Sequence, residues 1–283
     1  MDLNVGDRVK HPTLHEQWGP GEVLAVSANG KVTILFALAG QKILKGVVLQ
    51  KLEGAEGRHP LLDNRKGQSK GKRRTQAFSV SREAFLRLFP GGFSDPKYLK
   101  EERDYKLAAG EKFRSTLGAA EFDKLLSEDD FPEIAKRALA VVNATNLVFP
   151  NEKMSLKDGL TEASGQELFG RSLHSLLYGA GEYQIRFEGF IKVLEQIGAS
   201  KWPIATYFPF IAFPDHQMFL KPDVTKRAAE ACNFELNYRV ELNWWSYESL
   251  LRFTATLKDL IADLDPRDNI DMQSFIFCIG ERV

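Results

Sequence analysis

Residues 6–53, GDRVKHPTLHEQWGPGEVLAVSANGKVTILFALAGQKILKGVVLQKLE, decide the fold of the N-terminal part of the chain. The segments GDRVKHP, GEVLAV, KVTILFA and QKILKGVV are each too short and too rich in β-branched residues for a helix, and turn residues separate them. Ala28-Asn29-Gly30 joins two of the segments, and Asn-Gly accepts the positive φ angles of a type I′ hairpin turn. Val23 and Val26, then Val32, Ile34 and Phe36, supply inward-facing positions. Roughly 50 residues with about five strands predict a small all-β barrel over residues 1–53. Two readings of Trp18 stand: a core aromatic that closes the barrel, or an exposed ring at a loop rim. His11 and His15 read as turn residues.

Beyond the barrel the composition changes abruptly. Residues 54–78 are rich in Gly, Lys and Arg, poor in β-branched residues and without periodicity, which predicts a flexible linker. From Arg58 to Arg74 it holds seven basic residues, Arg58, Arg65, Lys66, Lys70, Lys72, Arg73 and Arg74, against the single acid Asp63. Such a tract attracts phosphate backbones without reading sequence, and its affinity falls steeply with salt. The alternative is a solvated linker held extended by its own charge. The 283-residue chain is formally neutral, with 38 Lys and Arg against 38 Asp and Glu. That neutrality is segregated: residues 1–78 hold 13 basic against 7 acidic residues, and residues 79–283 hold 25 against 31. A protein uniformly coated with positive charge is excluded, whereas a local basic site is not.

Residues 79–283 carry helix signals. Asp95-Pro96 is an N-cap followed by proline in the first turn, and Tyr98, Leu99, Tyr105, Leu107, Ala108, Phe113 and Leu117 mark an apolar side running to Gly118. Similar patterns place helices near 82–89, 119–126, 132–143, 165–178, 182–197, 222–232, 247–264 and 271–279. Gly198 and Gly280 read as stops and Ser246 as a cap. The expected architecture is a multidomain chain, a small β-barrel followed by a mainly α-helical domain. Cys232 and Cys278 form no disulfide framework or Cys-based metal site. No apolar N-terminal stretch of signal-peptide length and no run of about 18 apolar residues occurs, so a cytoplasmic protein without a membrane partner is expected.

The segment Lys201 to Arg227 is dense in aromatic rings and broken by Pro203, Pro209, Pro214 and Pro222, which excludes one continuous helix. Pro222 opens a helix, and the free N–H groups of that first turn, with Lys221, Thr225, Lys226 and Arg227 nearby, suit a phosphate. The alternative is a capped helix start with Lys226 and Arg227 in solvent. Gly179-Ala180-Gly181 lacks the Lys-Ser/Thr of a phosphate-binding loop, and no His pair has metal-ligand spacing, so neither a cofactor nor a metal is expected. Asp268 and Asp271 read as capping residues, with Arg267 able to pair with either. Trp244, Trp245 and Tyr247 read as core, with stacking on bases at a rim as the alternative.

Three resemblances add to these readings. Gly6-Asp7-Arg8-Val9, His11-Pro12, Trp18-Gly19-x-Gly21, the Val32 to Phe36 strand, Gly40 and Leu49 to Leu52 resemble the Tudor-like, SH3-like domain at the C-termini of bacterial UvrD-type helicases. That resemblance implies an interaction module for nucleic acid or the transcription machinery, without catalysis. FPGGF (89–93), DPKYLKEERDYK (95–106), FLKPDVTKRAAE (219–230) and RDNIDMQSF (267–275) resemble a bacterial family of unknown activity. Trp202 to Phe208 followed by Asp223 to Arg227 is distantly similar in order to the helix-hairpin-helix DNA glycosylases, although Lys201-Trp202-Pro203-Ile204 lacks the glycines of that hairpin. The glycosylase resemblance implies Asp223 as charge stabiliser or general base, Lys221 as nucleophile or phosphate contact, and Trp202 or Tyr207 as a base-stacking wall.

The leading expectation is therefore a bacterial DNA-associated protein, with Arg65, Lys66, Lys70, Lys72, Arg73, Arg74, Thr225, Lys226, Arg227, Trp202 and Tyr207 as contacts and a role in DNA repair if it is an enzyme. The competing expectation is an adaptor docking on RNA polymerase or a helicase. A third is a small-molecule enzyme with a pocket walled by Tyr207, Phe208 and Phe210.

Overall fold

The computed structural model describes residues 3–27, 30–37, 39–45, 49–57, 59, 62, 82–232 and 234–281. The chain divides into two compact units, Met1–Ser69 and Lys70–Val283.

The first unit is an antiparallel sheet of β1 (Arg8–Lys10), β2 (Gly21–Val26), β3 (Lys31–Phe36), β4 (Gly40–Lys45) and β5 (Gln50–Lys51), in the order β4-β3-β2-β1-β5. Among the described residues β4 and β5 remain as edges, so the sheet is small and not closed. A single helical turn, α1 (His15–Trp18), bridges β1 and β2. The alternation expected of half-buried strands places Val9, Val23, Ile34, Phe36 and Leu49 in one buried cluster. Gly21 is required where β2 crosses that cluster, because a Cβ there would meet Ile34 Cγ2 at 2.7 Å and the Phe36 ring at 2.8 Å. Val26 departs from expectation: at the hairpin end of β2, beyond the cluster, it is 47% exposed. Asn29 of the expected turn lies outside the described residues. Trp18 is half-buried, with its ring 4.9 Å from Phe36 and 4.8 Å from His11.

The second unit is mainly helical. After helical residues 82–88, a capped turn α2 (Pro96–Tyr98) runs through a π-helical turn, Leu99–Arg103, into α3 (Asp104–Leu117). There follow α4 (Ala119–Ser127), α5 (Phe131–Val142), α6 (Pro150–Gly159), α7 (Ala163–Tyr178), α8 (Tyr183–Gln196), α9 (Trp202–Ala212), α10 (Pro222–Ala231), α11 (Trp244–Leu260) and α12 (Asn269–Glu281). One continuous apolar core, from Phe85 to Ile279, joins them. Asp95 caps α2 as expected, accepting from the Lys97 N–H at 2.9 Å.

Several expectations are corrected. Helix α9 occupies a segment whose prolines and lack of periodicity masked it: Pro203 stands in the first turn, Pro209 is tolerated inside, and every residue from Trp202 to Ile211 is buried. Helix α6 was not legible either. The cap of α11 is Asn243, which accepts from the Ser246 N–H at 2.8 Å, so the helix starts before the expected Ser246. Gly280 is not a stop but lies within α12, where a Cβ would stand 2.2 Å from Val224 O of α10. It permits the close packing of those two helices.

The buried side of α3 follows its own register. Counted back from Leu117 and Phe113, it passes through Gly110, Ala109 and Lys106 to Arg103 at the end of the π-helical turn. Leu107, expected on the apolar side, is 41% exposed, while Lys106 is 1% exposed.

Candidate nucleic-acid interface and the Lys221 cavity

Cations of the N-terminal sheet stand on its rim. Arg8 pairs with Glu22 at 3.1 Å and Lys51 with Asp7 at 2.6 Å, each between neighbouring strands or their flanks. Lys31 of β3 and Lys42 of β4 are exposed, and Lys42 Nζ stands 5.9 Å from the centre of the Trp18 ring. The contacts expected of Arg65, Lys66, Lys70, Lys72, Arg73 and Arg74 lie outside the described residues.

Around α10 the expected residues part company. Lys221 occupies the N-cap position in extended backbone. Its ammonium lies 4.3 Å from the Phe149 ring centre and 5.2 Å from that of Phe277, held by the negative faces of two rings. Asp223 is exposed and accepts from Lys226 at 2.9 Å, and the hydrogen bond and charge of Lys226 hold its carboxyl below the ordinary value. Lys226 also lies 5.1 Å from the Tyr238 ring centre. Arg227 donates to the Gly280 carbonyl and lies 3.8 Å from Glu281. Thr225 is buried. With Asp223 in the first turn and both following cations paired, the helix start offers a phosphate less than its sequence suggests, and Lys221 is its one cation without an ion pair among the described residues.

The stacking wall is overturned outright. Trp202 is buried and donates its indole N–H to Arg239 O at 2.9 Å. Tyr207 is fully buried, donates to Val141 O at 2.8 Å and accepts from Thr145 at 3.1 Å. Neither presents a ring to a base. Tyr207, Phe208 and Phe210 are core residues, not pocket walls.

Of the strongest electrostatic feature, the sequence reading held only the pairing of Arg267, which the structure gives to Asp271 at 2.8 Å. Asp268 caps α12 as expected, accepting from the N–H groups of Ile270 and Asp271 at 3.0 and 3.2 Å. Asp271, expected to cap, is instead fully buried and gathers five donors. These are the Tyr98 hydroxyl at 2.6 Å, Arg103 Nη1 at 2.8 Å, Arg267 Nε at 2.8 Å, Arg267 Nη2 at 3.0 Å and the Arg267 backbone N–H at 3.0 Å. Burial pushes its carboxyl up, but the hydrogen bonds from Arg267 and Tyr98 and the charge of Arg103 outweigh it and hold it below the ordinary value. Arg103 also grips Asp268 with both terminal nitrogens, at 2.8 and 2.6 Å. One turn on, Lys106 donates to Ser274 at 2.8 Å and Glu102 at 3.2 Å. Burial pushes its ammonium down to about 8, opposed by the charge of Glu102.

Beside this network a cavity of about 90 Å³ opens between the π-helical turn, α10 and α12, with Glu101, Glu102, Tyr105, Lys221, Gln273 and Phe277 in its wall. Gln273 is 4% exposed, and its Oε1 has no hydrogen-bond partner among the described residues. Of this set the sequence singled out Lys221 as a site residue and Tyr105 only as a marker of an apolar helix side. Glu101, Glu102, Arg103 and Lys106 sit in a charged run that a solvated helix face would share, so nothing in one dimension marks them as interior.

Among the described residues no group of three or more His, Cys, Asp or Glu is arranged to hold a metal, and no helix is long and apolar enough to cross a membrane. Residues 3–52 match the model of a family described as protein of unknown function (DUF3553). No curated protein and no solved structure matches the chain.

Proposed function

We propose that this chain associates with DNA through its N-terminal sheet and the basic tract from Arg58 to Arg74. The observation that carries the proposal is the segregation of charge: 13 basic against 7 acidic residues in 1–78, and 25 against 31 in 79–283. A polyanion is drawn to the first part and repelled on average by the second. The exposed Lys31 and Lys42 of the sheet, with Trp18 beside Lys42, extend the cationic stretch onto a folded surface. The start of α10 contributes little, since Lys226 and Arg227 are already paired. A role in DNA repair is the finer form of the proposal, but Asp223, exposed and paired with Lys226, lacks the enclosed surroundings of a catalytic carboxylate.

The test is a salt series with the full chain on duplex and single-stranded DNA. Affinity for duplex should fall with a log–log slope of about 0.9 per phosphate neutralised. Replacing Arg65, Lys66, Lys70, Lys72, Arg73 and Arg74 by alanine should lower the slope and weaken binding by at least about tenfold. No binding near 50 mM salt would sink the proposal, the concentration lying at the low end of the range over which such contacts are measured.

A second reading, docking on a protein such as RNA polymerase or a helicase, is favoured by β4. It is an edge strand with Ile43 65% exposed, and an edge strand offers unpaired backbone groups to a partner. Association that survives nuclease and high salt, and that Ile43→Lys abolishes, would replace the DNA reading with this one.

A further inference from the structure

The two edges of the N-terminal sheet differ. β5 is two residues long, whereas β4 runs for six, Gly40–Lys45, all paired with β3 and without a strand on the other side among the described residues. Natural sheets protect long edges with, among other devices, a charge that points toward the buried face. Lys42 is such a charge. Its register partner is the fully buried Ile34, so the two side chains share the core-facing side, in one row with Gly40 opposite Phe36 and Leu44 opposite Val32. At the edge the Lys42 side chain stays exposed, its Nζ 5.9 Å from the centre of the Trp18 ring. Ile43, one residue on, lies on the opposite side, across from Thr33, and is 65% exposed.

This pattern selects among partners. A strand laid along β4 sets one row of its side chains beside Lys42 and the alternate row beside Ile43. A second copy of the chain fits badly: β4, GQKILK, holds two lysines and no acid, and β3, KVTILF, adds one lysine and no acid. Pairing two such edges brings like charges together, which destabilises a sheet. A nucleic acid matches the charge but has no peptide N–H and C=O groups to continue the ladder and nothing apolar in register with Ile43.

Resting on the protein-docking reading of β4, we infer that this edge takes an extended acidic segment of a partner protein as the sixth strand of the sheet. Main-chain hydrogen bonds to β4 hold the segment, and its side chains give the selectivity. An Asp or Glu stands beside Lys42 in the core-facing row, and the adjacent residue, on the other side, is apolar and covers Ile43. The recognised pattern is therefore an alternation of acidic and apolar residues over about the length of β4.

The experiment is NMR on the full chain, following the amide shifts and hydrogen exchange of residues 40–45. The probes are capped peptides of about seven residues, long enough to span β4, that alternate Val with Glu, with Gln or with Lys. Expected is saturable protection of the β4 amides by the Glu peptide, with a Kd below about 1 mM. The Gln peptide should bind about threefold to fivefold more weakly, the upper range for one opposite-charge cross-strand pair, and the Lys peptide more weakly still. In Lys42→Glu, a change at an exposed position with folding checked by circular dichroism, the order should reverse in favour of the Lys peptide. Equal affinity for the Glu and Gln peptides would overturn the acidic preference and leave strand docking at β4 standing, a result that needs no variant. Retained preference for the Glu peptide in Lys42→Glu would overturn it too. Absence of protection by all three peptides would sink both the inference and the docking reading. A single-stranded oligonucleotide that shifts the same amides and displaces the Glu peptide would assign the edge to DNA instead.

Discussion

The two units of this chain handle charge in opposite ways. The N-terminal sheet has one small cluster, Val9, Val23, Ile34, Phe36 and Leu49, and the ion pairs described in it, Arg8–Glu22 and Lys51–Asp7, stand at its rim. The helical unit has a core running from Phe85 to Ile279 and carries Asp271, Arg103 and Lys106 inside it. The difference is one of scale. A sheet of this size has too few layers to surround an ion with compensating donors, and an uncompensated buried charge costs more than so small a core supplies. A unit of helices stacked several deep can supply Tyr98, Arg103 and Arg267 to one carboxylate. Apolar contact holds the small unit, whereas the larger one also depends on a polar constellation whose parts are far apart in sequence.

The sharpest way to break this contrast is Asp271→Ala. Removing the carboxylate strands Arg267 and the Tyr98 hydroxyl and leaves Arg103 with Asp268 alone, and breaking a buried pair on one side typically costs about 3–5 kcal/mol. Urea denaturation monitored by far-UV circular dichroism should show it. A loss below about 1 kcal/mol, the range of an exposed pair, would mean that the network contributes no more than surface charge does.

In the small unit the equivalent test is steric. Gly21→Ala drives a Cβ toward Ile34 Cγ2 and the Phe36 ring, and overpacking of this kind costs about 1–3 kcal/mol. Hydrogen exchange at the β2 and β3 amides is the measurement, and unchanged protection there would show that the sheet accommodates the methyl by shifting.

The third effect is a pH dependence. The folded Lys106 ammonium is pushed from 10.5 down to about 8, so between those values the unfolded chain binds more protons than the folded one. Stability from this group therefore rises with pH through that window and is flat below it. Comparing thermal denaturation of the wild type with Lys106→Met from about pH 8 to pH 10 isolates the contribution. The difference between the two proteins should grow in favour of the wild type as pH rises, and a constant difference would argue that Lys106 exchanges with solvent in the folded state.

Much of the architecture was legible because local signals and burial agreed. Asp95-Pro96 announced a helix start, period-2 alternation announced β2 and β3, and Asp268 preceded the last helix as a cap. Legibility failed where burial erased periodicity, as in α9, where an all-buried helix has no polar side to set its phase. It failed again in α3, where Lys106 lies inward and Leu107 is 41% exposed. The polarity of the two side chains suggests the reverse, and only their spacing from Phe113 and Leu117 places Lys106 on the buried side. At the candidate sites, Lys221 was recognisable as a cation before a helix. Its aromatic seat and the cavity wall come from residues more than 50 positions away in either direction.

By itself, then, the sequence determined the order of the units, a small β-sheet before a helical region, and the uneven distribution of charge between them. Those properties follow from local composition and short-range periodicity, which any segment carries wherever it packs. Only the tertiary structure decided which charged residues are interior, that Trp202 and Tyr207 are core, and that Lys221, Glu101 and Gln273 meet at one cavity. Such facts depend on which distant helices approach each other, and there one glycine at a crossing, Gly280 against Val224, outweighs the pattern of the surrounding sequence.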